Sequence, residues 1–361
     1  MGAPRAVWLI TYWLLFFLIC FGLGYPVLNR IDTSTAAGCF DSREYTRMVP
    51  ADGEAVIDNQ LRARVLVPWV ARPFYRLANG RVGSWNPVAF GLLVAGALFA
   101  ASGALILFSF ARTFAVAPQV ALAGSLLYLL NFAVPNKQLG CSLVDSGEAS
   151  LMLALFGALF YGRFYLLPGI GIAGALAKET FIPIAAAAAL GWALAEWRQG
   201  RWKVRQTLWS GGMLLAGVAT FVVLQSSVYG YLVWPWQFAA QQRVEETGLL
   251  AGLAGVIADR QFWYVFAWLL PLGAIRLMQL PGKWVYASLA GAGAALAMGA
   301  WNNAGGTAAY AVFHAIGPAL SLSAAQLLAS GAGNISGRAS VGPITSHCPD
   351  ESRESVPEVR E

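Results

Sequence analysis

The chain contains 361 residues, of which 58% are hydrophobic and only 12% are charged, and its formal net charge is +6. So high an apolar fraction, arranged in long blocks instead of periodic stripes, excludes an ordinary water-soluble domain and indicates a polytopic membrane protein. The basic excess does not indicate a nucleic-acid partner, because basic residues that flank spans chiefly report membrane orientation.

The first apolar run extends from Ala6 to Leu23, after a short basic flank. It is long enough to cross a hydrocarbon core about 30 Å thick. A secretory signal peptide is the alternative interpretation, but no small-residue cleavage site closes the run before Tyr25 and Pro26. We therefore interpret the run as an uncleaved first span.

The predicted outer first loop, residues 29–84, is rich in arginine. The eight arginines are Arg30, Arg43, Arg47, Arg62, Arg64, Arg72, Arg76 and Arg81. They either recognise an anion, because guanidinium groups bind phosphate bidentately, or they solvate the loop and contact lipid headgroups. The stretch from Arg64 to Leu77 is aromatic, basic and broken by Pro68 and Pro73, so we expect an interfacial segment on the outer leaflet.

Eight further apolar blocks follow, judged against the roughly 20 residues that a span needs. They occupy residues 87–110, 117–135, 148–161, 169–195, 207–226, 261–275, 284–300 and 307–329. The block at 169–195 is too long for one span and contains Lys178 and Glu179 in its middle. A single crossing would also put the basic residues within 198–205 outside, against the positive-inside rule.

We therefore predict that this block forms a mid-chain hairpin of two short helices that turn near Lys178 and Glu179. The predicted fold is an all-α polytopic transmembrane helix bundle, residues 1–329, with about ten membrane segments and both termini cytoplasmic. The first outer loop carries interfacial helices. From residue 330 the composition turns polar, which predicts a disordered cytoplasmic tail over 330–361.

Three short motifs occur in the first two hundred residues. They are D-S-x-x-Y (Asp41, Ser42, Tyr45), R-x-x-x-P (Arg64, Pro68) and G-x-x-A-K-E-T (Gly174, Lys178, Glu179, Thr180). Together they resemble the integral-membrane GT-C class of glycosyltransferases, over a little more than half of the chain.

The resemblance implies transfer of a sugar from a polyprenyl-phosphate carrier on the outer side of the membrane, in a bacterial inner membrane. It implies that Asp41 is the catalytic base and that Arg64 and Lys178 neutralise the carrier phosphate. Tyr45, Glu179 and Arg72 are further candidate substrate-binding residues. A divalent cation is compatible with this reaction, but no ligand pattern in the sequence indicates one, and the oligomeric state is not predicted.

The chemistry is reasonable without the resemblance, because glycosyl transfer needs a carboxylate to deprotonate an acceptor and positive charge to stabilise a departing phosphate. Asp145 is the second candidate catalytic acid, although either Asp145 or Asp41 could simply cap a helix. We interpret Glu44 as a partner for Arg47. His314 we expect to be buried and hydrogen-bonded.

Lys178 and Glu179 have two interpretations. Ionisable residues at membrane depth usually face a cavity or pair with one another, which indicates a functional role. Alternatively, both are hydrated at an interfacial turn.

Cys39 and Cys141, in two predicted outer loops, either form a disulfide or remain free thiols.

A second function class stays open, namely a non-enzymatic membrane protein such as a transporter or flippase of a lipid-linked anion. Such transporters more often show duplicated halves with broken helices in corresponding positions. The sequence shows one interrupted segment, residues 169–195, which favours the enzyme.

Overall fold

A computed structural model describes residues 3–30, 42–50, 59–81, 83–140, 144–201, 203–241, 248–302 and 305–338, and every regular element in these ranges is a helix. In chain order the α-helices are α1 (Ala3–Gly24), α2 (Val27–Arg30), α3 (Ser42–Met48), α4 (Asn59–Arg62), α5 (Leu66–Ala78), α6 (Pro87–Thr113), α7 (Pro118–Leu130), α8 (Asp145–Phe160), α9 (Leu167–Ala177), α10 (Phe181–Arg198), α11 (Val204–Tyr229), α12 (Pro235–Gln241), α13 (Leu249–Ala258), α14 (Arg260–Phe266), α15 (Leu269–Leu277), α16 (Gly282–Trp301) and α17 (Thr307–Arg338). A π-helix, Ala133–Leu139, follows α7, and a 3₁₀ turn, Phe164–Leu166, precedes α9.

Within these ranges, four helices are long and apolar enough to cross a membrane. They contain the stretches Ala6–Gly24, Pro87–Thr113, Val204–Tyr229 and Thr307–Ser330. Helix α7 and the π-helix make a fifth candidate span if they are taken together, bent by 54° where they meet. The predicted all-α class and membrane character are confirmed at this level.

Helix α17 lies at the centre of the bundle and packs against α7, α15 and α16. Small residues make these contacts close. A Cβ on Gly124 of α7 would lie 3.1 Å from the Cα of Leu322, and one on Gly273 of α15 would lie 2.8 Å from the backbone oxygen of Leu320. Because lipid tails are as apolar as the helices, close backbone approach through small residues is what favours association in a membrane.

The apolar block at 169–195 is two helices, as the sequence predicts. Helix α9 ends at Ala177 and α10 begins at Phe181, so Lys178 and Glu179 lie in the turn between them. Gly174 is needed here, because any Cβ at this position would collide with the ring of Phe181.

The stretch predicted to be interfacial forms one continuous helix from Leu66 onward, which corrects the prediction that Pro68 and Pro73 break it. Pro68 stands in the first turn of α5, where a missing N–H has no intrahelical partner to lose, and only Pro73 is interior. Helix α5 buries Val67 and Ala71 and packs against α6, where a Cβ on Gly91 would lie 2.8 Å from the backbone oxygen of Ala71.

The predicted block at 261–275 is also divided, into α14 and α15. Pro271 in the first turn of α15 cannot donate a hydrogen bond to the carbonyl four residues earlier, which helps to explain the break.

Near the C-terminus, α17 continues to Arg338, past the predicted boundary at residue 330. The rest of the predicted tail, residues 339–361, lies outside the described residues.

The bundle has two chemically different ends. At one end, aromatic rings from α6, α8 and α16 meet: the ring centroid of Phe110 lies 4.7 Å from that of Phe160 and 4.6 Å from that of Trp284. Four basic residues lie at or next to helix ends here, in the part of the bundle that we call the basic end. They are Arg112, Arg163, Arg198 and Lys283.

Candidate functional site

The opposite end of α8 carries a buried acidic residue that pairs with the mid-chain turn. Asp145 is the first residue of α8, and its Oδ1 accepts a hydrogen bond from Lys178 Nζ at 2.7 Å. The Lys178 ammonium also lies 3.5 Å from Glu148 Oε2, one turn further along α8. A single lysine in the turn thus binds both carboxylates at the start of this helix.

The same turn is tied to the first loop through Arg64. Its Nε donates to Glu179 Oε2 at 2.9 Å, and its Nη2 donates to the other carboxylate oxygen, so the pair is bidentate. The remaining nitrogen, Nη1, donates to the hydroxyl of Tyr45 at 2.8 Å, and Tyr45 is fully buried on α3. Planar guanidinium geometry suits this arrangement, which a lysine could not reproduce.

Glu148 is the most connected carboxylate of the cluster and is fully buried. Thr180 Oγ1 donates to its Oε1 at 2.7 Å, and His314 Nδ1 lies 3.3 Å from its Oε2. His314 itself is buried in α17, as the sequence predicts. Polar contacts therefore join α8, α17 and the turn after α9. The other contacts in the bundle are mostly apolar.

Three of these groups lie in connections between helices, and their protonation is set by their partners. Burial opposes the charged form of Arg64, but Glu179 and Tyr45 raise its pKa well above the ordinary value. Burial likewise opposes charge on Lys178, whereas Asp145 and Glu148 raise its pKa. Burial would raise the pKa of Glu179, but Arg64 lowers it below the ordinary value. All three groups are consequently held charged at neutral pH.

A cavity of about 180 Å³ opens against this cluster. Its polar wall consists of Tyr45, Arg64, Lys137, Asp145, Lys178, Glu179, Thr180, Asn302 and Thr307. Its apolar wall comes chiefly from small residues of α16 and α17, among them Ala295, Gly299 and Ala308. Positive and negative side chains line one small space, which suits a polar ligand that carries both hydroxyl and anionic groups.

A larger apolar groove of about 640 Å³ adjoins the cavity. The two share Glu179, Thr180, Met298 and Asn302. Beyond these, the groove is lined by apolar and aromatic residues of α10, α11, α12 and α16, such as Leu214, Phe221, Trp236 and Trp301. The charged cavity and the apolar groove are therefore neighbouring compartments with a common wall.

Five of the predicted site residues line this one cavity: Arg64, Tyr45, Asp145, Lys178 and Glu179. Their roles stay predictions. Both cations are already paired with carboxylates, so a phosphate group would have to share or displace those partners.

Arg72 is different from the other predicted substrate-binding residues, because it does not line the cavity. Its Nη2 donates to the carbonyl of Met48 at 3.2 Å and so holds the end of α3.

Asp41, the other predicted catalytic acid, lies outside the described residues, as do Cys39 and Cys141. Glu44 pairs with Arg47 at 3.3 Å, which confirms the predicted interpretation of this acid.

Sequence reasoning did not assign Lys137, Thr180, Asn302 or Thr307 to the cavity. Lys137 belongs to the π-helix that follows the bend after α7, and the polar stretch P-N-K-Q in the apolar sequence was the available signal. The contact between His314 and Glu148, 166 positions apart, had no local signal in the sequence.

Among the described residues, no group of three or more histidine, cysteine or carboxylate side chains is arranged to hold a metal ion.

Comparison with known proteins adds no family to this description. A scan against protein-family models finds no match, and a search of curated proteins finds no relative.

Proposed function

We propose that this protein is a membrane glycosyltransferase that transfers a sugar from a polyprenyl-phosphate carrier to an acceptor on the outer side of the membrane. The observation that carries the proposal is the common wall of the charged cavity and the apolar groove. A lipid-linked sugar has a polar, anionic head and a long apolar chain, and the two compartments match these two parts.

The proposed topology has about ten membrane segments, with the basic end in the cytoplasm. Support comes from Arg112, Arg163, Arg198 and Lys283, which gather at the end of the bundle opposite Asp145. Because cytoplasmic connections are enriched in lysine and arginine, this end faces inward and the cavity faces outward. We place the protein in a bacterial inner membrane on the same proposal.

The proposed reaction uses the cavity's carboxylates and cations together. A carboxylate, Asp41 or Asp145, accepts the proton of the acceptor hydroxyl, whose oxygen forms a bond to the anomeric carbon of the sugar. The bond from that carbon to the carrier phosphate breaks, and the phosphate leaves with the electron pair. Arg64 and Lys178 stabilise the negative charge that develops on the leaving phosphate.

The direct test is to incubate the purified protein with a panel of lipid-linked sugars and of hydroxyl-bearing acceptors, and to measure the release of polyprenyl phosphate. We expect release from at least one donor, and loss of release when Lys178 is replaced by Gln. Lys283→Gln, at the basic end, is the matched control and should retain activity. Absence of release from every donor by a folded, membrane-inserted protein would refute the proposal.

Transport of a lipid-linked anion is the second candidate function, and one observation favours it. The candidate span formed by α7 and the π-helix is bent by 54°, and Lys137 of that π-helix lines the cavity. Broken spans at a binding site are typical of transporters. Movement of a fluorescent lipid-linked sugar across proteoliposomes, without release of polyprenyl phosphate, would favour transport over transfer.

A further inference from the structure

The basic end carries a second groove, which shares no lining residue with the charged cavity. It lies between α10 and α16, has a volume of about 430 Å³, and is lined by Leu194, Trp197, Arg198, Tyr286 and Leu289 together with small residues. Along α10, which begins at Phe181 just after the turn, about 15 Å of helix leads to Gly191, the lining residue nearest to the turn, and about 25 Å leads to Arg198. The groove is thus a separate site and not an extension of the cavity.

Close packing of the two helices creates the groove. A Cβ on Gly191 would lie 2.6 Å from the backbone oxygen of Tyr286 and 2.8 Å from the Cβ of Ala290, so the helices touch through their smallest residues. The larger side chains on either side of this contact, including Leu194 and Leu289, remain exposed and form the walls. An apolar channel between two packed helices suits an acyl chain.

Arg198 supplies a positive charge at the mouth of the groove. The Arg198 guanidinium stands 5.8 Å from the centroid of the Tyr286 ring. In the described part of the chain no carboxylate forms an ion pair with Arg198, whereas the neighbouring Lys283 lies 3.6 Å from Glu196. Three further basic residues, Arg201, Lys203 and Arg205, follow shortly and are exposed.

We propose that this groove binds an anionic phospholipid, with its phosphate on Arg198 and one acyl chain between Leu194 and Leu289. The combination of a guanidinium, an aromatic ring and an apolar channel matches a lipid headgroup and its chain, and basic pockets between membrane helices are a known mode of anionic lipid recognition. A free phosphate would use Arg198 but would leave the apolar walls uncovered. This proposal is independent of the proposed function.

The test is to reconstitute the full chain in phosphatidylcholine nanodiscs doped with phosphatidylglycerol and to count retained phosphatidylglycerol by native mass spectrometry. We expect Arg198→Gln to weaken retention about tenfold, the effect of losing one charge-assisted contact. Arg205→Gln, which removes an equal charge at the same end but outside the groove lining, should leave retention nearly unchanged. Leu289→Glu should weaken retention as well, because it puts a negative charge on the wall of the acyl channel.

Three outcomes would overturn the proposal. One is equal loss in Arg198→Gln and Arg205→Gln, which would mean general attraction to the basic end. Another is equal retention of phosphatidylcholine and phosphatidylglycerol by the wild type. The third is displacement of the lipid by inorganic phosphate at low concentration, which would mean that the acyl chain contributes nothing. Thermal unfolding of each variant shows whether the fold is intact.

Discussion

Arg64 and Glu179 are 115 positions apart in the chain, yet they form a bidentate ion pair that joins the first loop to the turn between α9 and α10. Both side chains are largely buried, with about a tenth of each exposed to solvent (12% and 9%). The pair fixes the position of the turn that also carries Lys178. It therefore sets the shape of the charged cavity as well as stabilising the fold.

Breaking this pair from either side should destabilise the protein strongly. Arg64→Met or Glu179→Met each leaves a buried charge without its partner, and we expect a loss of about 3 kcal/mol in the free energy of unfolding. The double variant should lose far less than the sum, because no unpaired charge remains. Reversible unfolding in detergent, analysed as a double-mutant cycle, measures this coupling.

A matched pair at the basic end serves as the control. Lys283 and Glu196 lie 3.6 Å apart, and Lys283 is more exposed than Arg64. The corresponding cycle should show a smaller coupling, about 1 kcal/mol or less. Additive effects of the two single changes at Arg64 and Glu179 would contradict the central role that we give to their pair.

The same pair predicts how stability depends on pH. Arg64 lowers the pKa of Glu179 below its ordinary value of 4.5, so the stabilisation is complete above that pH and is lost as the pH falls through the lowered folded-state pKa. The difference in unfolding midpoint between wild type and Glu179→Gln should be constant from about pH 6 to pH 8 and shrink in acid. A difference that instead grew in acid would show that the folded protein binds the proton more readily than the unfolded chain.

Two substitutions separate the candidate catalytic carboxylates. Asp41→Asn should reduce sugar transfer at least about a hundredfold, because an amide cannot accept the acceptor's proton, while an Asn still caps a helix and should keep the protein folded. Asp145→Asn should lower stability too, since it removes the charge that pairs with Lys178. Initial rates and unfolding curves of both variants provide the comparison.

The outcomes lead to different assignments. Near-normal transfer by Asp41→Asn, in an assay in which Arg64→Ala is inactive, would move the base to Asp145. If none of these changes affected transfer, the transferase proposal would fail and transport would become the better account.

Much of the helical framework follows from the sequence, because long apolar runs can satisfy their backbone hydrogen bonds in a membrane only as helices or closed barrels. The break at Lys178 and Glu179 was predictable for a related reason, since two charges in an apolar block need partners or water. The continuity of α5 through Pro73 was not predictable from the sequence. A proline locally disfavours a helix interior, but here packing against α6 outweighs that preference.

The partners of the site charges were less predictable than their presence. Lys178 and Asp145 stand out in the sequence as charges next to apolar runs, but nothing local indicates that they contact each other. The link from Glu148 to His314 depends on how α8 and α17 pack, which is a property of the whole bundle. Sequence reasoning thus found several members of the cluster, whereas its connections required the structure.

The central claim is that one amphipathic site extends from the charged cavity into the apolar groove. Two adjacent leucines on α11 provide its most direct test. Leu214 lines the groove, whereas Leu215 does not line it and is 73% exposed. The measurement is the release of polyprenyl phosphate from long-chain and short-chain lipid-linked sugars at limiting concentration. We predict that Leu214→Trp lowers release from the long-chain donor about tenfold, the effect of displacing about two methylene groups, and leaves the short-chain donor nearly unaffected. Leu215→Trp should behave as the wild type with both donors, and equal behaviour of the two tryptophan variants with the long-chain donor would contradict the account.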